Sequence, residues 1–161
     1  MIGLRDCGKL ALLPTVAKLL SWKLIIPEAA YAECTAKKST CSQIKKLVSN
    51  KSVEVRQAPP DVLSKLQNRY ASLGKGEIEA LAFAVSCKEE NDTAIVITSD
   101  QRPCKVASEL GIQTLSTLDF FKKVYELGLM TKKEMYAFIP TLKNYMWLSS
   151  KVTEDFLDTL Q

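Results

Sequence analysis

Residues 94–98, Ala-Ile-Val-Ile-Thr, place five apolar or β-branched side chains in a row without polar alternation. That pattern predicts a strand buried on both faces, as in sheets covered by helices on each side. Ser99 and Asp100 follow, and then Arg102, Pro103 and the apolar-spaced Val106, Ala107 and Leu110. These predict a helix with proline in its first turn. Asp100 therefore ends a buried strand at the edge where open α/β sheets place their ligands. An aspartate at that position also suits a helix N-cap, and the two readings stay open at this stage.

The remaining chain repeats the alternation. Lys23–Pro27 predicts a short strand, followed by a helix from Glu28. A helix over 38–50 carries Ile44, Leu47 and Val48 on one face, and Ser52–Val55 reads as a brief strand. The prolines at 59 and 60 open a helix that stops at Gly74. Residues 76–91 form a helix that is apolar nearly all round, so deep burial is expected. Ile112–Leu115 predicts a last strand, with helices near 117–127, 131–146 and 150–159. Strands alternating with helices predict an α/β fold with a mainly parallel sheet. Near the N-terminus, residues 1–13 read as a helix and Pro14 opens a second. Met135, Phe138, Ile139, Leu142 and Met146 share one helical stripe, fitting core or a dimer face, with Pro140 off the stripe. A single domain is expected, with an α/β core over about 1–116 and a helical extension over about 117–161.

Composition removes several chemistries. The 161 residues contain no histidine, which excludes Ser–His and Cys–His nucleophile pairs and His-ligated zinc. Catalysis near neutral pH would then rest on carboxylates, lysines, tyrosines or a carboxylate-bound metal, and hard oxygen ligands favour magnesium or manganese. The five cysteines are odd in number and lack a C-x-x-C pair. Buried free thiols in a reducing cytoplasm are the expectation. Lys9, Lys18 and Lys23 interrupt the most apolar region, so no membrane span is expected. A formal net charge of +4 with scattered lysine doublets suits a weakly basic, solvated surface that tolerates a phosphate-bearing partner.

Three carboxylates stand in unusual settings. Asp100 ends the apolar run, Glu77 opens the apolar helix after Leu-Gly-Lys-Gly, and Glu33 lies among Ala29, Ala30, Tyr31 and Ala32. Strand-to-helix crossings of a parallel sheet open on one edge, so these acids can converge there. Each has a plainer use as a cap, a helix-dipole partner or a solvated side chain. The loop before Glu77 resembles a phosphate cradle but lacks P-loop spacing.

"LIIPEAAYAE", "LGKGEIEALAFA" and "VITSDQRPCKVASELGI", in that order, resemble the acidic motifs of PIN domains. The match is to a branch related to VapC toxins, and "STLDFFKKVYELGLM" and "WLSSKVTEDFLDTL" resemble its helical tail. The resemblance implies a three-layer PIN-like sandwich around a mainly parallel sheet. It implies that Glu33, Glu77 and Asp100 are catalytic acids holding Mg2+ or Mn2+ for hydrolysis of RNA phosphodiesters. Thr98, Ser99, Arg102 and Lys105 become substrate contacts, and Glu79 a weaker candidate, turned elsewhere on the helix. An antitoxin protein is the implied partner, with a homodimer also fitting. The family opens on a central strand ending in aspartate, whereas "MIGLRDCGKLALL" matches the helix that follows it. Asp6 falls mid-helix in this register, so a strand encoded upstream is expected. A catalytically inactive PIN-like module binding RNA or protein is the alternative, and a small-molecule α/β binding protein is a third.

Overall fold

A computed structural model describes residues 9–36, 38–146 and 148–160. The expected helix over residues 1–8, with Asp6 and Cys7, lies outside the described residues. The described residues form four strands: β1 (Ile25–Pro27), β2 (Glu54–Arg56), β3 (Ile95–Ile97) and β4 (Gln113–Leu115). The helices are α1 (Leu12–Leu19), α2 (Glu28–Ala36), α3 (Lys38–Ser49), α4 (Pro60–Arg69), α5 (Lys75–Glu89) and α6 (Gln101–Glu109), then α7 (Thr117–Glu126), α8 (Lys132–Met146) and α9 (Ser150–Asp158). The chain is thus mixed α/β with short parallel strands.

Two compact units form, Trp22–Leu115 and the described parts of Met1–Ser21 with Ser116–Gln161. In the first, β1 pairs in parallel with β2 (Ile25 to Glu54, Ile26 to Val55, Pro27 to Arg56). β3 pairs in parallel with β4 (Ile95 to Gln113, Val96 to Thr114, Ile97 to Leu115). Where one mainly parallel sheet is expected, the described residues form two two-stranded ladders. The helix α5 is central to this unit. Ile78, Leu81, Ala82 and Ala84 pack with Val62 and Leu66 of α4 and with Val106 and Ala107 of α6. Its small and branched apolar residues face neighbours on several sides, which explains why it has no polar face.

The expected burial of Ala94–Thr98 on both faces is not what the structure shows. Ile95 is 37% exposed, Val96 and Ile97 are half-buried, and only Thr98 is buried. The cause is one-sided pairing, since β4 is the ladder partner of β3 and no other strand joins it among the described residues. The strand "IIP" of β1 buries Ile26 at 2% exposure.

In the second unit, α1 packs against α7 and α8 against α9. Met135, Phe138, Ile139 and Leu142 are all buried, and Pro140 is exposed. The stripe is therefore core, although the side chain of Met146 is outside the described set. Phe121 is fully buried, edge-on to Phe120 at 5.7 Å between ring centroids and tilted against Phe138 at 4.8 Å. Ser116 begins α7 by accepting from Asp119 N–H at 3.1 Å, and its own N–H donates to Asp119 Oδ2 at 3.2 Å. That reciprocal pair satisfies two amides that the helix itself leaves unpaired. Among the described residues no helix is long and apolar enough to cross a membrane. Cys34, Cys41, Cys87 and Cys104 form no disulfide among the described residues and are half-buried, not buried as expected, since each sits at the margin of its helix packing and not in the core.

Candidate functional site

Pro27 ends β1 and Glu28 begins α2 directly, so the first turn of α2 lies at the carboxyl end of that strand. The opening amides of any helix lack intrahelical partners and carry partial positive charge. In α2 one of them, Ala29 N–H, donates to Glu79 Oε2 of α5 at 2.6 Å. Glu79 is only 4% exposed, and a buried carboxylate requires such a donor. α5 shows the converse arrangement. Gly76 N–H, in its first turn, donates to Glu33 Oε1 of α2 at 3.3 Å. Gly74 N–H donates to Glu77 Oε2 at 2.8 Å, so Glu77 folds back over the start of its own helix.

The helices meet closely because position 76 has no side chain. A Cβ there would lie 3.0 Å from Ala30 Cα, 3.1 Å from Ala30 Cβ and 3.2 Å from Ala30 N. Glycine on α5 facing alanine on α2 lets the two first turns touch, and the charged caps cross the seam in both directions.

Asp100 occupies the N-cap position of α6 with extended backbone (φ −79°, ψ 130°), but its side chain makes no capping hydrogen bond. Its N–H donates to Thr98 Oγ1 at 3.3 Å. Its carbonyl accepts from Cys104 N–H at 3.2 Å. Thr98 also donates its N–H to Leu115 O at 3.1 Å, extending the β3–β4 pairing. The question left open by the sequence is answered here: the exposed Asp100 carboxylate is not spent on the helix. Ser99, Arg102 and Lys105 are exposed, and α6 turns Pro103, Val106 and Ala107 inward. Lys88 Nζ donates to Leu110 O at 3.0 Å and Gly111 O at 3.3 Å, tying the end of α5 to the turn that closes α6. Asp100 lies at the opposite end of α6.

Glu33 and Glu77 thus both accept from amides at the start of α5, Gly76 and Gly74, while Glu79 accepts from an amide at the start of α2. Asp100 stands at the start of α6. Among the described residues no three Asp, Glu or Cys side chains are placed to hold one metal ion. The acids present do not fit a complete metal centre as they stand. The phosphate-cradle reading of Leu-Gly-Lys-Gly also fails, because carboxylates already occupy the Gly74 and Gly76 amides. Glu79, expected to turn elsewhere on the helix, is buried where α5 meets α2 and accepts from Ala29 N–H. Its signal was a carboxylate within a helix of otherwise apolar surroundings, where burial demands a specific donor.

These features describe a mixed α/β chain with parallel strands and acidic side chains gathered where helices begin. The chain matches, over residues 1–161, the model of a family described as DUF3368: PIN domain. It belongs to the PIN-domain family. Neither the curated proteins nor the solved structures give a significant match. PIN membership points to nuclease-type function, RNA as the bound polymer and a divalent metal as the usual cofactor.

Proposed function

We propose that this protein is an endoribonuclease of the VapC-related PIN branch, hydrolysing RNA phosphodiesters in the cytoplasm with Mg2+ or Mn2+ and restrained by an antitoxin protein. The family match across the chain carries the reading, and the uncommitted carboxylate of Asp100 agrees with it. Glu33, Glu77 and Asp100 are the acids assigned to the reaction. Arg102 and Lys105, exposed one turn apart on α6, suit contacts to phosphate oxygens. The described acids do not by themselves close a site around a metal ion. That same observation favours a second reading, a PIN-fold module that binds RNA or protein without cleaving it.

The test is cleavage of labelled RNA by the purified chain with Mn2+ or Mg2+, with and without EDTA. Nuclease function predicts metal-dependent, chelator-sensitive cleavage that is lost in Asp100→Asn and Glu33→Gln. RNA retention without cleavage in either metal would establish the second reading in its place.

A further inference from the structure

We infer that Glu79 is a positioning residue: by clamping the first turn of α2 to α5, it sets the Glu33 carboxylate against the α5 N-terminus. The role assigned to Glu33 in the reaction rests on the function proposed above; the clamp itself does not.

Two hydrogen bonds cross the seam in opposite directions, and they differ in strength. The bond from Ala29 N–H to Glu79 Oε2 is 2.6 Å long, and its acceptor is 4% exposed. The bond from Gly76 N–H to Glu33 Oε1 is 3.3 Å long, and its acceptor is exposed. Both bonds are part-buried; the shorter one, onto a carboxylate that is itself buried, is the stronger kind, and the longer one, onto an exposed carboxylate, competes more with solvent. The weaker bond therefore depends on the stronger. Glu33 lies about one turn after Ala29 on α2, and it reaches Gly76 only while that first turn is held in place. A Cβ at position 76 would lie 3.0 Å from Ala30 Cα, so the first turns of α2 and α5 are in direct contact where the two bonds form. Glu79 thus acts through Glu33 and has no contact of its own with substrate to make.

Amide hydrogen exchange on the 15N-labelled full chain tests this without any need for activity. In Glu79→Ala, both Ala29 and Gly76 amides should exchange faster by about ten- to hundredfold, the scale of losing a bond to a charged group. Glu79→Gln, which keeps an acceptor oxygen, should retain protection at both. Glu33→Ala should expose Gly76 alone and leave Ala29 protected. If Glu79→Ala releases Ala29 while Gly76 stays protected, Glu79 is a local cap and the inference is overturned. If Glu79→Ala fails to fold, Glu79→Met, which fills a similar volume without an acceptor, decides: a Gly76 amide that stays protected overturns the inference, and faster exchange at both Ala29 and Gly76 supports it. In a cleavage assay, Glu79→Gln should keep activity within about threefold, less than the tenfold that 1.4 kcal/mol represents. Loss of cleavage in Glu79→Gln as severe as in Glu33→Gln would make Glu79 a reacting group and overturn the positioning role. A wild-type chain that does not cut RNA removes the proposed nuclease function and leaves the exchange result to decide the clamp.

Discussion

Replacing Gly76 with alanine tests the contact on which the acidic cluster is built. The new methyl would lie 3.0–3.2 Å from three atoms of Ala30, against an ordinary carbon contact of about 3.5–4.0 Å. Two of those atoms are backbone, so no side-chain rotation relieves the overlap and α2 itself must move. Overpacking of this kind costs about 1–3 kcal/mol. Alanine recovers up to about 1 kcal/mol over glycine in a helix, less in its first turn. The expected net effect is a loss of about 1–2 kcal/mol. For a chain of this size that lowers the melting temperature by about 2–4 °C per kcal/mol. Urea unfolding followed by circular dichroism measures the change. Displacing α2 should also speed exchange at Ala29 and Gly76, whose partners cross the same seam. A Gly76→Ala chain as stable as wild type or more so, with both amides still protected, would refute the close approach of α2 and α5.

Asp100→Ala should leave stability within about 0.5 kcal/mol of wild type, since the side chain makes no capping bond; a loss near about 1 kcal/mol in urea unfolding would restore the N-cap reading. Glu134 accepts from Thr131 N–H and from Thr131 Oγ1–H, both at 2.7 Å. The backbone bond first and the hydroxyl second hold its carboxyl below the usual glutamate value. A carboxylate lowered on folding adds stability above its unfolded pKa and loses it as pH falls through the folded pKa. A 13C titration of Glu134 should therefore give a midpoint below that of an unstructured glutamate. Thr131→Val should bring it back toward the ordinary value, and an unchanged midpoint would count against the hydroxyl contribution.

Much of the fold was legible because its signals are local. The periodicity that buries Met135, Phe138, Ile139 and Leu142 can be read within three turns of one helix. The all-round apolar character of α5 announced its central place, with Leu81 and Ala82 almost completely buried. What the sequence could not supply was pairing and packing between distant segments. Ile95 looked like the interior of a covered sheet, yet its exposure depends on which strands flank β3, a property of the whole sheet and not of the run itself. Glu77 and Glu79 are two residues apart on one helix; its place at the helix start and the family resemblance assigned Glu77 to the site, and the two-residue offset turned Glu79 elsewhere. The tertiary contact with α2 distributes them differently: Glu77 caps its own helix, and Glu79 is drawn in by Ala29 N–H.

The distribution of charge around the two helix starts bears on how a polyanion would approach the Trp22–Leu115 unit. At α5 the amides of Gly74 and Gly76, which would otherwise attract phosphate, are already neutralised by Glu77 and Glu33. A phosphate placed there would displace a carboxylate or face two of them. At α6 the N-cap side chain leaves the helix uncapped, and Arg102 and Lys105 stand exposed within the next turn and a half. Cations beside an uncapped helix start favour phosphate oxygens, while the nearby Asp100 carboxylate repels them at short range. The backbone of an RNA strand is therefore better held along the outer face of α6 than in the Leu-Gly-Lys-Gly loop. On that geometry, removing both cations should weaken RNA retention and lessen its salt dependence.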